Sequence, residues 1–268
     1  MKAAVVYGVN DLRLEEVEKP QIERDDQILV KIKAVGICGS DIHILHGANP
    51  FATYPRIMGH EMVGEVEAVG DNVKNIAIGD HIVVEPITYC GKCYACRKGM
   101  PNVCQQLKVS GVHVDGGMRE YIVIAEKQAH KIKKDIPWTT AVLAEPYTIA
   151  GNVTTRTNIS AGDKVVIQGA GPIGITILRM AKVKGATVLV TDMVDEKLAF
   201  AKENGADMVV NPSKENLVEA VKTWTDGEMA NVVIDAACTP KTFEICFDLV
   251  SIAGTIGVLG MNEKPSNI

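Results

Sequence analysis

The chain has 268 residues, 47% of them hydrophobic and 23% charged, with a formal net charge of −5. That length and apolar content can bury a sizeable core in two domains. The acidic balance excludes the dense basic surface that nucleic acid or an anionic membrane would require of a partner. Small molecules are therefore the expected partners, with no nucleic acid and no membrane. Met1 to Tyr7 runs directly into the charged stretch Asn10 to Lys19, without the basic-then-apolar order of a signal peptide. No apolar run is long enough to span a bilayer. The expected location is cytoplasmic, where the seven cysteines stay reduced and clustered thiols read as metal ligands.

From Met1 to about Ile136, short alternating apolar runs broken by glycine predict the strands of an irregular β domain, among them Ile28 to Val35, Gly64 to Val69 and His81 to Val84. Within this region Cys38-Gly39-Ser40-Asp41-Ile42-His43 and Gly59-His60-Glu61 each stand beside a strand end and a glycine, and Glu145 follows in Ala144-Glu145-Pro146. One thiolate, one imidazole and one or two carboxylates make a mixed donor set that can leave a coordination position open. Taken singly, each has a plainer reading: Cys38 as a small core residue, His60 as a turn histidine, Glu61 and Glu145 as solvated acids.

Cys90, Cys93, Cys96 and Cys104 are spaced C-x2-C-x2-C-x7-C in one loop, Tyr89 to Gln105. Four thiolates close a tetrahedron around zinc and leave no position for water or substrate, the mark of a structural site. A nucleic-acid-binding zinc ribbon would carry basic and aromatic neighbours in quantity, whereas only Lys92, Tyr94, Arg97 and Lys98 flank this loop. Cys238 and Cys246 lie outside both sets and read as small buried residues.

Near Pro137 to Ser160 the spacing of Trp138, Val142, Leu143 and Ile149 predicts a helix bridging two domains. From Asp163 apolar strands alternate with helical stretches: Val165 to Gln168, Pro172 to Lys184, Thr187 to Thr191, Glu196 to Asn204, then strands Met208 to Asn211, Val232 to Ala236 and Thr255 to Leu259. This is the pattern of βαβ units on a parallel sheet, an α/β fold. Gly169-Ala170-Gly171-Pro172-Ile173-Gly174 matches G-x-G-x-x-G between a strand and a helix, and Asp192 ends the next strand. In that context Gly169 permits the tight turn, Gly171 lets backbone approach a pyrophosphate, Gly174 allows close helix packing, and Asp192 accepts from ribose hydroxyls. A 2′-phosphate would meet the Asp192 carboxylate, so NAD is expected over NADP, with the nearby Lys197 acting in the opposite direction.

The motifs C-G-S-D-x-H, G-H-E, the four-cysteine loop, E-P and G-A-G-P-I-G follow one another as in the zinc-dependent medium-chain dehydrogenases of the alcohol dehydrogenase superfamily, and the resemblance covers essentially the whole chain. It is closest to the polyol and sugar-acid branch, with sorbitol, threonine and galactonate dehydrogenases. Tyr54-Pro55-Arg56, Gly111-Val112-His113, Asp115-Gly116-Gly117 and Ile234-Asp235-Ala236-Ala237-Cys238 resemble the bacterial starvation-sensing dehydrogenases in particular. The resemblance implies a GroES-like catalytic domain over 1–150 and a doubly wound Rossmann domain over 151–268, the latter cut short at its C-terminal end. A chain cut short there is expected to melt below one extended by the missing segment.

The resemblance further implies that Cys38, His60 and Glu145 ligate a catalytic zinc, with Glu61 able to bind or exchange with water. Asp41 would accept from the His60 ring N–H, and Ser40 and His43 would carry a proton outward. Zinc at both sites, NAD, an alcohol or polyol substrate and a homo-oligomer, dimer or tetramer, follow from it. The expected reaction is hydride transfer from a secondary alcohol to NAD. The competing expectation is a nucleotide-binding metabolic sensor without turnover, which could dispense with Cys38, Ser40 and His43.

Overall fold

The computed structural model describes residues 1–260 and divides the chain into two compact units, Met1–Glu145 and Pro146–Ile268. In the first unit the antiparallel strands Ala129–Lys131, His81–Val84, Glu61–Val69, Gln27–Gly36 and Tyr121–Ala125 form a sheet in that spatial order. Alternating apolar residues supply its core: Ile28, Val30, Met62, Val66, Ile82, Val84, Ile122 and Ile124 are buried together. The strand Gln27–Gly36 carries irregularities of register, one between Ile32 and Ala34. Such a bulge bends a strand and re-aims its end, and this strand ends at Gly36, beside Cys38. A second sheet joins Asp11–Glu16, Lys2–Gly8 and Arg56–Ile57, and a short ladder joins Ile87–Thr88 to Lys108–Val109.

In the second unit five parallel strands lie in the order Met208–Val210, Thr187–Thr191, Lys164–Gln168, Ala230–Asp235 and Val250–Val258. Their near-continuous Val and Ile runs reflect burial on both faces. Val165, Ile167, Val188, Val190 and Ile234 face Ala150, Val153 and residues of the helix Pro172–Val183. Val166, Leu189, Val210 and Val233 face Leu217, Val221, Cys246 and Leu249. The α/β class and the irregular β domain expected from the sequence are both present.

Two elements differ from the sequence reading. The bridging helix is two helices, Trp138–Ala141 and Ala144–Arg156. Pro146 explains the break, because its ring has no N–H to offer the carbonyl of Val142 and clashes with a carbonyl four residues back, yet is tolerated in a first helical turn. The last strand begins at Val250 rather than Thr255, because the helix Pro240–Leu249 runs into it without a loop.

Ile167 is fully buried at the centre of the parallel sheet. Ile167→Ala is expected to destabilise the second unit by about 2–5 kcal/mol, read as a lower denaturant midpoint for the transition of that unit.

Candidate active site and metal centres

Cys38 caps the short helix Gly39–Leu45. Asp41, fully buried in the first turn of that helix, reaches back so that its Oδ2 accepts from the Cys38 amide at 2.9 Å, while its Oδ1 accepts from the Gly59 amide at 3.2 Å. One carboxylate thereby fastens the chain before His60 to the chain that carries Cys38. Gly59 has φ +93, and an added Cβ would stand 2.9 Å from side-chain atoms of Met118 and Val35. His60 follows and is 8% exposed, leading into the strand Glu61–Val69, where Glu61 pairs in register with Gly36. A Cβ on Gly36 would lie 1.8 Å from Glu61 Oε2, so the glycine is what admits the carboxylate. The donor atoms of Cys38, His60 and Glu61 consequently gather within 4.8 Å of one another.

The Oδ1 of Asp41 is 3.7 Å from His60 Nδ1, an ion-pair separation rather than the expected hydrogen bond, and Nδ1 is buried without a hydrogen-bond partner among the described residues. Burial works to lower the His60 pKa, but the charges of Asp41 and Cys38 outweigh it and raise it to about 10. Burial likewise opposes the Cys38 thiolate, but His60 and the hydroxyl and amide of Ser40 prevail and lower its pKa. Glu61 is raised by burial against the pull of His60, and so is Glu145. Glu145, in the first turn of Ala144–Arg156, responds to His60, Glu61 and Asp41 but lies outside the three-residue group. Ser40 and His43 are three positions apart on one helix, hence on one face, and His43 is exposed. Thiolate, imidazole and carboxylate converging at this distance are a donor set that fits zinc.

The four loop cysteines gather as closely. Their sulfurs are separated by 3.5 Å (Cys93 and Cys96), 3.5 Å (Cys90 and Cys104), 3.8 Å (Cys93 and Cys104) and 4.0 Å (Cys90 and Cys96). Zinc–sulfur bonds of about 2.3 Å in a tetrahedron require separations of about 3.8 Å, so the loop has the shape the ion demands. Amides of Cys90 and Gln106 donate to Cys104 Sγ at 3.3 and 3.2 Å, and that of Cys93 to Cys90 Sγ at 3.3 Å. Donors of this kind lower the pKa of Cys90, and the amides of Cys96 and Gln105 lower that of Cys93 to about 6.

In the second unit the glycine turn follows the strand Lys164–Gln168. Gly169 has φ +103, and a Cβ on Gly174 would meet Gly169 O at 1.9 Å, so turn and helix touch through bare backbone. A Cβ on Gly171 would meet nothing within 4 Å, leaving open space over the start of the helix Pro172–Val183. Pro172 opens that helix and Ile173 packs against the core. Asp192 Oδ2 accepts from Ala170 N at 2.9 Å and Oδ1 from Val194 N at 3.0 Å, which fixes the carboxylate beside the turn. Beyond it lies a cavity of about 300 Å³ whose lining includes Gln168, Gly169, Thr191 and Asp192. Gln168 and Thr191 were not singled out in the sequence reading. The available signal was that polar residues end strands otherwise built of Val, Ile and Leu.

The alcohol dehydrogenase GroES-like domain family matches residues 24–134, and the zinc-binding dehydrogenase family matches residues 172–268. The starvation-sensing protein RspB of Escherichia coli K12 is 42% identical over all of this chain and 79% of its own length. This chain belongs to the zinc-type medium-chain alcohol dehydrogenases. L-threonine 3-dehydrogenase of Pyrococcus abyssi is 39% identical over 97% of this chain and 75% of the relative. The crystal structure of the alcohol dehydrogenase RspB from Escherichia coli CFT073 with NADH superposes with a TM-score of 0.93 at 41% identity, covering 100% of this chain and 78% of that one. Among the described residues no helix is long and apolar enough to cross a membrane.

Gly36→Ala is expected to leave the fold standing, since the atom it would strike is the end of a flexible side chain, and to swing the Glu61 carboxylate out of the cluster. Elemental analysis after dialysis against limiting zinc would read a lower metal content; an unchanged content would show that Glu61 is not needed there.

Proposed function

We propose that this chain is a cytoplasmic, NAD-linked, zinc-dependent dehydrogenase that oxidises a secondary alcohol, a polyol, sugar acid or amino alcohol, to a ketone, acting as a homo-oligomer. The observation that carries the reading is the convergence of Cys38, His60 and Glu61 around the buried Asp41. In it Cys38, His60 and Glu61, with Glu145 beside them, hold a catalytic zinc, and the four loop cysteines hold a structural one. The threonine dehydrogenase among its relatives and the NADH bound to RspB support the substrate class and the cofactor.

When bound, zinc supplies Lewis acidity toward an alcohol oxygen and NAD supplies the hydride acceptor. The chain's own residues do the rest. Asp41 holds Cys38 and the approach to His60 in fixed geometry and places a negative charge behind the imidazole, as partners of metal-bound histidines do. Hydride leaves the substrate carbon, so the hydroxyl proton must leave separately. Ser40 Oγ receives it, and the exposed ring of His43, one turn on, passes it to solvent. The glycine turn supplies helix N–H groups and room at Gly171 for the pyrophosphate, and Asp192 takes the ribose hydroxyls and disfavours a 2′-phosphate.

Two outcomes are expected. Cys38→Ser abolishes NADH formation from polyols, sugar acids and L-threonine while the metal of the four-cysteine loop is retained; undiminished turnover would remove Cys38 from the site. Gly171→Ala fills the open space and weakens NADH binding about tenfold, equivalent to about 1.4 kcal/mol, with the melting temperature of the ligand-free protein little changed. Equal affinity by titration calorimetry would place the pyrophosphate elsewhere.

A further inference from the structure

We propose that the turn 111–118 positions His60 by gripping the backbone that leads to it, and that Asp115, latched by Arg56, holds the grip closed. Asp115 is thereby a positioning residue for the site of Cys38, His60 and Glu61. This rests on the reading of His60 as a zinc ligand.

Gly59 stands immediately before His60 at φ +93. Glycine has the freest backbone of any residue, so nothing in Gly59 itself fixes where the imidazole lies. What fixes it is whatever holds the peptide groups on either side. The Gly59 amide donates to Asp41 Oδ1. The Gly59 carbonyl accepts from the Gly117 amide at 2.9 Å, that of Met58 from the Met118 amide at 2.9 Å, and that of Ile57 from the Gly116 amide at 2.7 Å. Three successive carbonyls before His60 are thus held by three successive amides of one turn.

The approach is of bare backbone to bare backbone. A Cβ on Gly116 would stand 2.1 Å from Gly59 O and 2.7 Å from Met58 O, and one on Gly111 would stand 2.7 Å from Gly59 N. Two glycines of the turn therefore lie against the glycine before the ligand, and main-chain atoms, unlike the end of a flexible side chain, cannot swing aside. The turn is closed on itself where Gly111 N donates to Val114 O at 2.7 Å. It is also tied to the strand Lys2–Gly8, where Ala4 N donates to Met118 O at 2.8 Å.

Asp115 is the side chain that joins turn and segment. Its Oδ1 accepts from the Ile57 amide at 3.2 Å and from Arg56 Nη1 at 3.1 Å, and Arg56 Nη2 donates to Thr53 Oγ1 at 2.9 Å. The Arg56 side chain is 14% exposed and that of Asp115 45%, and an ion pair this open contributes little through its charges. The oxygen matters more, because Ile57 is buried and its amide needs an acceptor. The chain entering His60 is consequently held by two carboxylates from separate segments, Asp41 on the Gly59 amide and Asp115 on the Ile57 amide. Loosening the second leaves Gly59 free to turn and His60 free to drift from Cys38 and Glu61.

Zinc binding by the whole chain, titrated against a chromophoric chelator, tests this, with the four-cysteine loop as internal reference. Wild type is expected to bind two zinc ions and Cys38→Ser to lose one, which identifies the mixed site. Asp115→Ala should weaken that site alone about 10-fold and, with cobalt(II) in place of zinc, shift the absorption of that site, which follows coordination geometry. Asp115→Asn keeps an oxygen for the Ile57 amide and should restore both. Asp115→Ala binding like wild type with an unshifted cobalt spectrum, Asp115→Ala weakening both sites alike, or Asp115→Asn failing to restore the mixed site would each overturn the positioning role alone. Wild type binding a single zinc would overturn the reading of His60 as a ligand and this inference with it.

Discussion

The Asp41 carboxylate is the tie on which the catalytic cluster depends. It is fully buried, and it satisfies the amides of Cys38 and Gly59, residues that lie 21 positions apart in sequence. Without it two inward-pointing N–H groups would stand unpaired, each costing about 1–3 kcal/mol. The same charge lies 3.7 Å from His60 Nδ1 and, together with Cys38, outweighs the desolvation of the ring. Backbone anchoring and ring electrostatics thus come from one group, and cannot be adjusted separately.

The two units meet the problem of placing functional groups in opposite ways. In the first, antiparallel strands with a bulge and a glycine approach bring side-chain donors together from distant segments. In the second, parallel strands all end at one edge, so turn, acid and cavity arrive there as a consequence of topology. The first arrangement relies on particular long-range contacts, the second on the direction of the strands.

This difference governs what the sequence disclosed. The glycine turn, Asp192 and the four-cysteine loop were legible because their chemistry is local: spacing alone sets which atoms can meet. That Cys38, His60 and Glu61 converge was expected from resemblance, since nothing in the separation of Cys38 from His60 foretells the register that joins Gly36 to Glu61. Asp41 was read as a hydrogen-bond partner of His60, and its grip on two amides was hidden because backbone bonds leave no mark on residue type. The split after Ala141 was within reach, for Pro146 signals it. The backing of Gly59 by the turn that carries Gly111 and Gly116 needs the two segments to meet before it becomes visible at all.

Gly36 and Glu61 carry a consequence for how such a site can change over generations. Because a Cβ at position 36 would fall on the carboxylate of position 61, the two positions are not independent, and the effects of their substitutions should not add. A larger residue at 36 turns the carboxylate of 61 away, so an acid at 61 joins the cluster only on a lineage that holds glycine at 36. A lineage that loses the glycine keeps its fold while the acid at 61 stands idle, free to drift until glycine returns.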